Sequence, residues 1–249
     1  LEVIDKNPME NLKAPKKTSQ EFQIPTSLEV KNILEYMGRK THLMKKINNY
    51  YYSPKWVYVG TAVASQTGMR LGEVLGLKWS DIDMKKNTIS IQRSIVNTDS
   101  GSYVGNTKNP KQRRTINIPN SLSNILKEYE EYMKEQMEYF YDERDLTKED
   151  YLFPYINGHN GDYDFDKTYL PSSLSQAWKR VNRILGYDYK FHSLRHFVAV
   201  TLMERNINLK KIQLQLGHSS IDITADIYGR YVKPENDQEI TNVLDNMFN

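Results

Sequence analysis

Residues 67–92, TGMRLGEVLGLKWSDIDMKKNTISIQ, change their period part-way along and so decide the class of fold. Gly68 ends one apolar helix and Leu71–Leu77 reads as a short second one. From Thr88 the pattern is different: Thr88-Ile89-Ser90-Ile91-Gln92 alternates as a half-buried strand does. Upstream, the helix that stops at Gly68 begins at Ser53-Pro54, proline being tolerated in a first turn, and carries Trp56, Val57, Val59, Ala62 and Val63. Downstream, Thr115-Ile116-Asn117-Ile118 alternates again. The two alternating runs predict a small antiparallel sheet joined by a Gly-, Asn- and Pro-rich stretch with Lys108, Lys111, Arg113 and Arg114.

Outward from this centre the chain is helical. Thr26 or Ser27 can cap a helix with Leu28, Val30, Ile33 and Leu34, and Asn120 or Ser121 a long one with Leu122, Ile125, Leu126, Tyr129, Met133 and Phe140 on one face. The Gly-, Asp- and Tyr-rich segment 155–169 reads as loop, and helices resume over 171–185, 192–205 and 208–216. After Pro234, Ile240, Val243, Leu244, Met247 and Phe248 recur at helical spacing. Residues 1–22 are polar and lysine-rich, broken by Pro8 and Pro15, as in a linker or the end of another domain. The expected class is mainly α with a small antiparallel β-sheet (α+β).

A chain of 249 residues can bury a core without staples. It has no cysteine, which excludes disulfides and thiolate metal sites. With no apolar run long enough to span a bilayer and no signal-peptide core at the start, the protein is expected to be soluble and cytoplasmic, with no membrane partner. The net charge of +3 hides a division. Segment 127–150 holds ten acids against four bases, and 234–249 holds four acids and no base, which leaves the rest of the chain at +13. A basic body with its acid confined to two segments suits a polyanion on one face, although acidic helices also simply solvate their outer sides.

Polar residues suited to chemistry fall in four segments: Thr67–Glu73, the basic stretch around Lys108, His192-Ser193-Leu194-Arg195-His196, and Leu216-Gly217-His218 with Tyr228 ten residues on. Singly, each has an ordinary reading. Arg70 and Glu73 can be surface decoration, His218 a cap, and Tyr228 one of 18 packing tyrosines. His192 and His196 share a helix face, but the acid of a His-Glu-x-x-His zinc motif is missing. Together they describe a site for a phosphodiester. Two arginines present planar forks to the non-bridging oxygens, where charge grows in the transition state. Two imidazoles donate to the same oxygens or move a proton, a lysine protonates the departing alkoxide, and a tyrosine attacks. Protein groups fill every role, so neither a metal nor a cofactor is expected.

Four stretches carry a resemblance. TGMRLGEVLGLKWSDID at 67–83, KNPKQRRTINIP at 108–119, HSLRH at 192–196 and LGHSSIDITADIYGRYV at 216–232 are similar, in order, to the catalytic domain of the tyrosine recombinase (phage integrase) family. The ten-residue step from His218 to Tyr228 is similar to that in integrases of conjugative transposons and related phages. The resemblance makes Arg70, Lys108, His192, Arg195, His218 and Tyr228 catalytic, with Glu73 orienting Arg70 and Tyr231 a weaker rival to Tyr228. Lys111, Arg113 and Arg114 are candidate contacts to the DNA backbone. It also implies a linker or core-binding remnant at 1–22, a catalytic domain at 23–233 and an exchange helix at 234–249 that docks on a neighbouring protomer. The activity implied is DNA cutting and rejoining through a 3′-phosphotyrosine, on double-stranded DNA, by a homo-oligomer, a tetramer in the family. A type IB topoisomerase-like transferase and an inactive DNA-binding protein are the alternatives. One departure stands out: Phe197-Val198-Ala199-Val200 follows the His-x-x-Arg-His run where the family has threonines, and these positions are expected to face the core.

Overall fold

The computed structural model describes residues 23–39, 45–47, 50–52, 54–98, 101–106, 113–140, 144–157 and 162–231. Lys108, Lys111, the leader 1–22 and the terminal segment 234–249 lie outside the described residues. Thr26 caps α1 (Ser27–Gly38) reciprocally, its Oγ1 accepting from Glu29 N at 3.3 Å while Glu29 Oε2 accepts from Thr26 N at 2.7 Å. Val30, Ile33 and Met37 face inward, whereas Leu28 is left 66% exposed. Two residues of helix turn it through about 200° from Val30, so it sits on the far side.

After the short hairpin of β1 (Lys45–Ile47) and β2 (Tyr50–Tyr52) comes α2 (Pro54–Thr67), which packs on helices before and after it in sequence. Trp56, Val57, Val59, Ala62 and Val63 are all buried, as the apolar run predicts, and Trp56 stacks on Tyr169 with centroids 4.0 Å apart. Gly68 ends the helix at φ +71°, and a Cβ there would strike Leu216 and Val198. α3 (Leu71–Leu75) is shorter than expected: Leu77 N donates to the Val74 carbonyl three residues back, and the carbonyl of Gly76 accepts from Arg93 Nη1.

The expected sheet is present. β3 (Ile82–Asp83), β4 (Thr88–Ile91) and a returning strand at Arg114–Asn117 are antiparallel, with Ile89 opposite Ile116 and Ile91 opposite Arg114. Between them the chain makes a hairpin the sequence reading did not anticipate, β5 (Arg93–Thr98) and β6 (Gly101–Asn106). The returning strand is therefore β7. The hairpin is seated at its base: Arg93 Nη1 pairs with buried Asp81, and the Ile95 carbonyl passes so close to Gly72 that no side chain fits there.

α4 (Asn120–Phe140) buries Leu122, Leu126, Tyr129, Met133 and Met137 along one stripe and turns Glu131, Glu135 and Glu138 to solvent. Segment 155–169, expected as loop, contains β8 (Pro154–Ile156) and β9 (Tyr163–Thr168), paired antiparallel. Tyr163 and Phe165, two residues apart and both buried, were the overlooked period-2 signal. The helices α5 (Pro171–Ile184), α6 (Ser193–Glu204) and α7 (Leu209–Leu216) fall where expected, and α8 (Ile221–Tyr231) is an addition.

The apolar interior has two parts. A large cluster joins α1 to α5 and the sheets; a small one holds Val198, Ala199, Met203, Ile212, Leu216 and Ile227 from α6, α7 and α8. Phe197 packs against both. Val198 and Ala199 are buried, so the departure after the His-x-x-Arg-His run falls on packing positions.

Candidate active site

Arg70 stands in the turn between α2 and α3. Glu73, on the first turn of α3 and 2% exposed, reaches back with both oxygens: Oε2 accepts from Arg70 N at 2.9 Å and Oε1 from Arg70 Nη1 at 2.9 Å. The other guanidinium nitrogen of Arg70 donates to the Gly217 carbonyl at 3.0 Å, spanning 147 residues of sequence. Glu73 thus ties the Arg70 guanidinium to its own backbone.

Arg114 departs from expectation. Its side chain does not point out to solvent, being 10% exposed. Its Nη1 and Nη2 grip Glu73 at 3.1 and 2.9 Å, and its Nε donates to the Gln215 carbonyl at 3.0 Å. The reason is strand parity. Ile116 faces the core, so Arg114, two residues earlier and opposite buried Ile91, faces the same way. Arg113 is on the other face and is exposed. Gly217, at φ +69°, is pressed against this guanidinium, and a Cβ would come within 2.6 Å of Nη1. Burial alone would raise the carboxyl of Glu73, but the hydrogen bonds and charges of Arg114 and Arg70 outweigh it and hold the group below the usual carboxylate range.

Arg195, on the first turn of α6, is 3% exposed. Its Nη1 donates to the Gly68 carbonyl at 2.8 Å, and among the described residues its buried Nη2 has no hydrogen-bond partner. Burial, then Arg70, opposed by Glu73, and last Arg114 bring its pKa down to about 9. Among the described residues these three guanidinium groups share the Glu73 carboxylate, an environment that favours an added anion.

His192 precedes α6 and meets His196 edge to face, ring centroids 4.9 Å apart. His218 follows the α7 cap, its Nδ1 2.9 Å from Thr224 Oγ1. A cavity of about 200 Å³ is lined by these three histidines with Ile223, Asp226, Ile227 and Tyr231. Burial and then the neighbouring His196, Arg195 and Arg70 lower His192 to about 4, although the residue keeps an exposed edge. Burial and then Arg195, Arg70, His196 and His192 lower His218 to about 3. Both rings are neutral near pH 7. Unfolded, they take up protons near 6.5, so stability is full above that pH and is lost as pH falls toward 4 and then 3. The melting temperature is expected to fall between pH 7 and 5, and the fall to shrink in His218→Gln; thermal unfolding followed by circular dichroism checks this.

Tyr228 lies on α8, one turn after Thr224 on the same helical face; its side chain lies outside the described residues. Tyr231 lines the cavity. Of the candidates, Arg70, Glu73, His192, Arg195 and His218 are brought together from α3, α6 and the α7–α8 turn. Lys108 and Lys111 lie outside the described residues. Sequence reasoning missed Arg114's inward role, Thr224, and Gln215, whose Nε2 also donates to the Thr67 carbonyl at 3.2 Å. For Arg114 the alternation of Ile116 and Ile118 carried the signal. Among the described residues no three His, Cys, Asp or Glu are disposed to hold a metal ion, and no helix is long and apolar enough to cross a membrane. α5 presents exposed Lys179, Arg180 and Arg183 and contains no acid.

Known proteins share this arrangement of elements. The chain is 35% identical over 196 residues to a tyrosine recombinase XerC-like protein of Caldanaerobacter subterraneus subsp. tengcongensis, covering 75% of this chain and 48% of that protein. It is 29% identical over 204 residues to the integrase of Staphylococcus phage L54a, covering 80% and 55%. The chain therefore spans about half the length of the relatives it matches. In fold it is similar to the Tn1549 transposon integrase in complex with transposon right end DNA, with a TM-score of 0.63 at 17% identity, covering 99% of this chain and 73% of that one. XerA recombinase gives 0.57 at 18%, covering 92% and 66%. Residues 26–233, which hold both arginines, the three histidines and α8, match the phage integrase family, and to that family the chain belongs.

Proposed function

We propose that this chain is the catalytic part of a site-specific DNA recombinase that cuts and rejoins strands through Tyr228. The observation that carries the reading is the Arg195 guanidinium, buried beside Arg70 with Nη2 unpartnered among the described residues. A phosphodiester in contact with that nitrogen gives it an acceptor and supplies the missing negative charge. Arg70 and Arg195 hold the non-bridging oxygens, and His192 and His218 donate to them as neutral rings. The bare ring nitrogen of neutral His192 takes the phenol proton of Tyr228 as the phenol oxygen forms the new bond to phosphorus and the bond to the 5′-oxygen breaks. Lys108 gives that oxygen a proton. The ester energy is kept in the 3′-phosphotyrosine, so a second 5′-hydroxyl can reverse the step without ATP.

Arg113, exposed, and Lys111 are proposed as backbone contacts, and Arg114 is withdrawn from that set. The cations of α5 support a salt-sensitive hold on double-stranded DNA, and such a substrate places the work in the cytoplasm. The terminal segment 234–249 is proposed to dock on a neighbouring protomer within a DNA-bound homo-oligomer, a tetramer. Deleting it is expected to reduce multi-protomer complexes in a gel-shift assay while single-site binding persists.

A nicked suicide duplex carrying the crossover site, mapped by footprinting genomic DNA, tests the chemistry. The protein and Tyr231→Phe are expected to form an SDS-resistant adduct, and Tyr228→Phe none. Loss with Tyr231→Phe alone would move the nucleophile to the phenol that lines the cavity. No adduct with the unaltered chain would end the recombinase reading.

A further inference from the structure

Among the described residues the His218 ring makes one hydrogen bond, Nδ1 to Thr224 Oγ1 at 2.9 Å. Backbone bonds fix the residue around it: His218 N donates to the Gln213 carbonyl at 3.2 Å, and Gln213 Nε2 donates to the His218 carbonyl at 3.1 Å. A neutral imidazole and a hydroxyl can meet in two ways. Either Nδ1–H donates to Oγ1, or Oγ1–H donates to a bare Nδ1.

Burial separates the two. Thr224 is 0% exposed, and among the described residues its hydroxyl makes no other hydrogen bond. In the first arrangement the hydroxyl hydrogen would be sealed in the protein with no acceptor, and an unsatisfied buried donor is penalised. In the second, both groups are satisfied. The ring must then carry its single hydrogen on Nε2. The ring is neutral near pH 7, since burial and the flanking cations bring it down to about 3.

We propose that Thr224 is a positioning residue, donating its hydroxyl proton to Nδ1 and thereby fixing His218 as the Nε2–H tautomer, the form that can donate to a phosphate oxygen. The last clause rests on the recombinase reading; the tautomer assignment does not. Thr224 is on the helix that carries Tyr228, four residues earlier. The donor state of His218 therefore depends on α8 being seated, which ties the readiness of the oxyanion donor to the presence of the nucleophile.

The test uses the full chain with its five histidines labelled with 15N, the His218 signals being assigned by their loss in His218→Gln. The unaltered protein and Thr224→Ser are expected to show a protonated Nε2 and a bare Nδ1 at His218. Thr224→Val, close to isosteric, should lose that preference. Its adduct formation on the suicide duplex should slow by roughly tenfold or more, as when a tautomer-fixing partner is removed elsewhere, with DNA affinity unchanged and Thr224→Ser restoring the rate. A protonated Nδ1 in the unaltered protein would overturn the proposal, as would a slow Thr224→Val whose His218 tautomer is unchanged. A protonated Nε2 in a protein that forms no adduct upholds the Thr224 assignment and removes the recombinase reading instead.

Discussion

Glu73→Ala is expected to cost about 3–5 kcal/mol of folding stability, the usual penalty for removing one partner of a buried ion pair. The carboxylate is 2% exposed and is the shared counter-ion of Arg70 and Arg114. Without it, the Arg114 guanidinium, whose side chain is 10% exposed, stays buried next to Arg70 and Arg195 and loses this counter-ion. Urea unfolding measures the effect directly. Glu73→Gln, which keeps the shape and one acceptor but drops the charge, should lie between the two. A Glu73→Ala protein as stable as the parent would mean that the arginine cluster does not need its anion, and the electrostatic account of the site would fail with it.

Arg195→Met should do the opposite to stability and far more to chemistry. Burying this guanidinium is unfavourable, as its lowered pKa of about 9 records, and methionine fills comparable space without a charge. The lost hydrogen bond to the Gly68 carbonyl partly offsets the gain, so the melting temperature should be unchanged or higher. Cleavage of the suicide duplex should nevertheless fall by about 10²–10³-fold, the range for losing one preorganised donor to a developing oxyanion. A stable protein that no longer cuts would show that the site holds its charge at the expense of the fold. A variant that cuts at the parental rate would remove Arg195 from the reaction.

Much of this was legible before any coordinates. The Gly68 stop, the Thr26 cap and the one-faced stripe of α4 are local signals, set by backbone conformation and a single helical period, and they survive folding unchanged. The Arg70–Glu73 pair is also local, three residues apart on one turn. Other features needed the third dimension. The β5–β6 hairpin lies in a stretch rich in turn residues, and it is placed by the Arg93–Asp81 pair and by the bare backbone of Gly72. Arg114 looked like part of a basic surface run because charge was read without parity; the core-facing positions of Ile116 and Ile118 had already assigned it inward. α8 gives a weak periodic signal because, among its described side chains, only Thr224 and Ile227 are buried in a run whose Ile221 and Ile223 are exposed. Thr224 shows no sign in sequence at all, since its meaning depends on a ring six residues away across a turn.

The smaller apolar cluster gives the molecule an uneven resistance to disturbance. α8 is held to the rest by Ile227 and the few side chains of α6 and α7, whereas Arg70 and Glu73 are anchored against the large interior. Under mild denaturant α8 should exchange its amide hydrogens well before α2 does. A chain in that half-open condition would still grip a phosphate while the helix bearing Tyr228 drifts away, so warming or dilute urea should silence cutting at doses that leave DNA retention nearly intact.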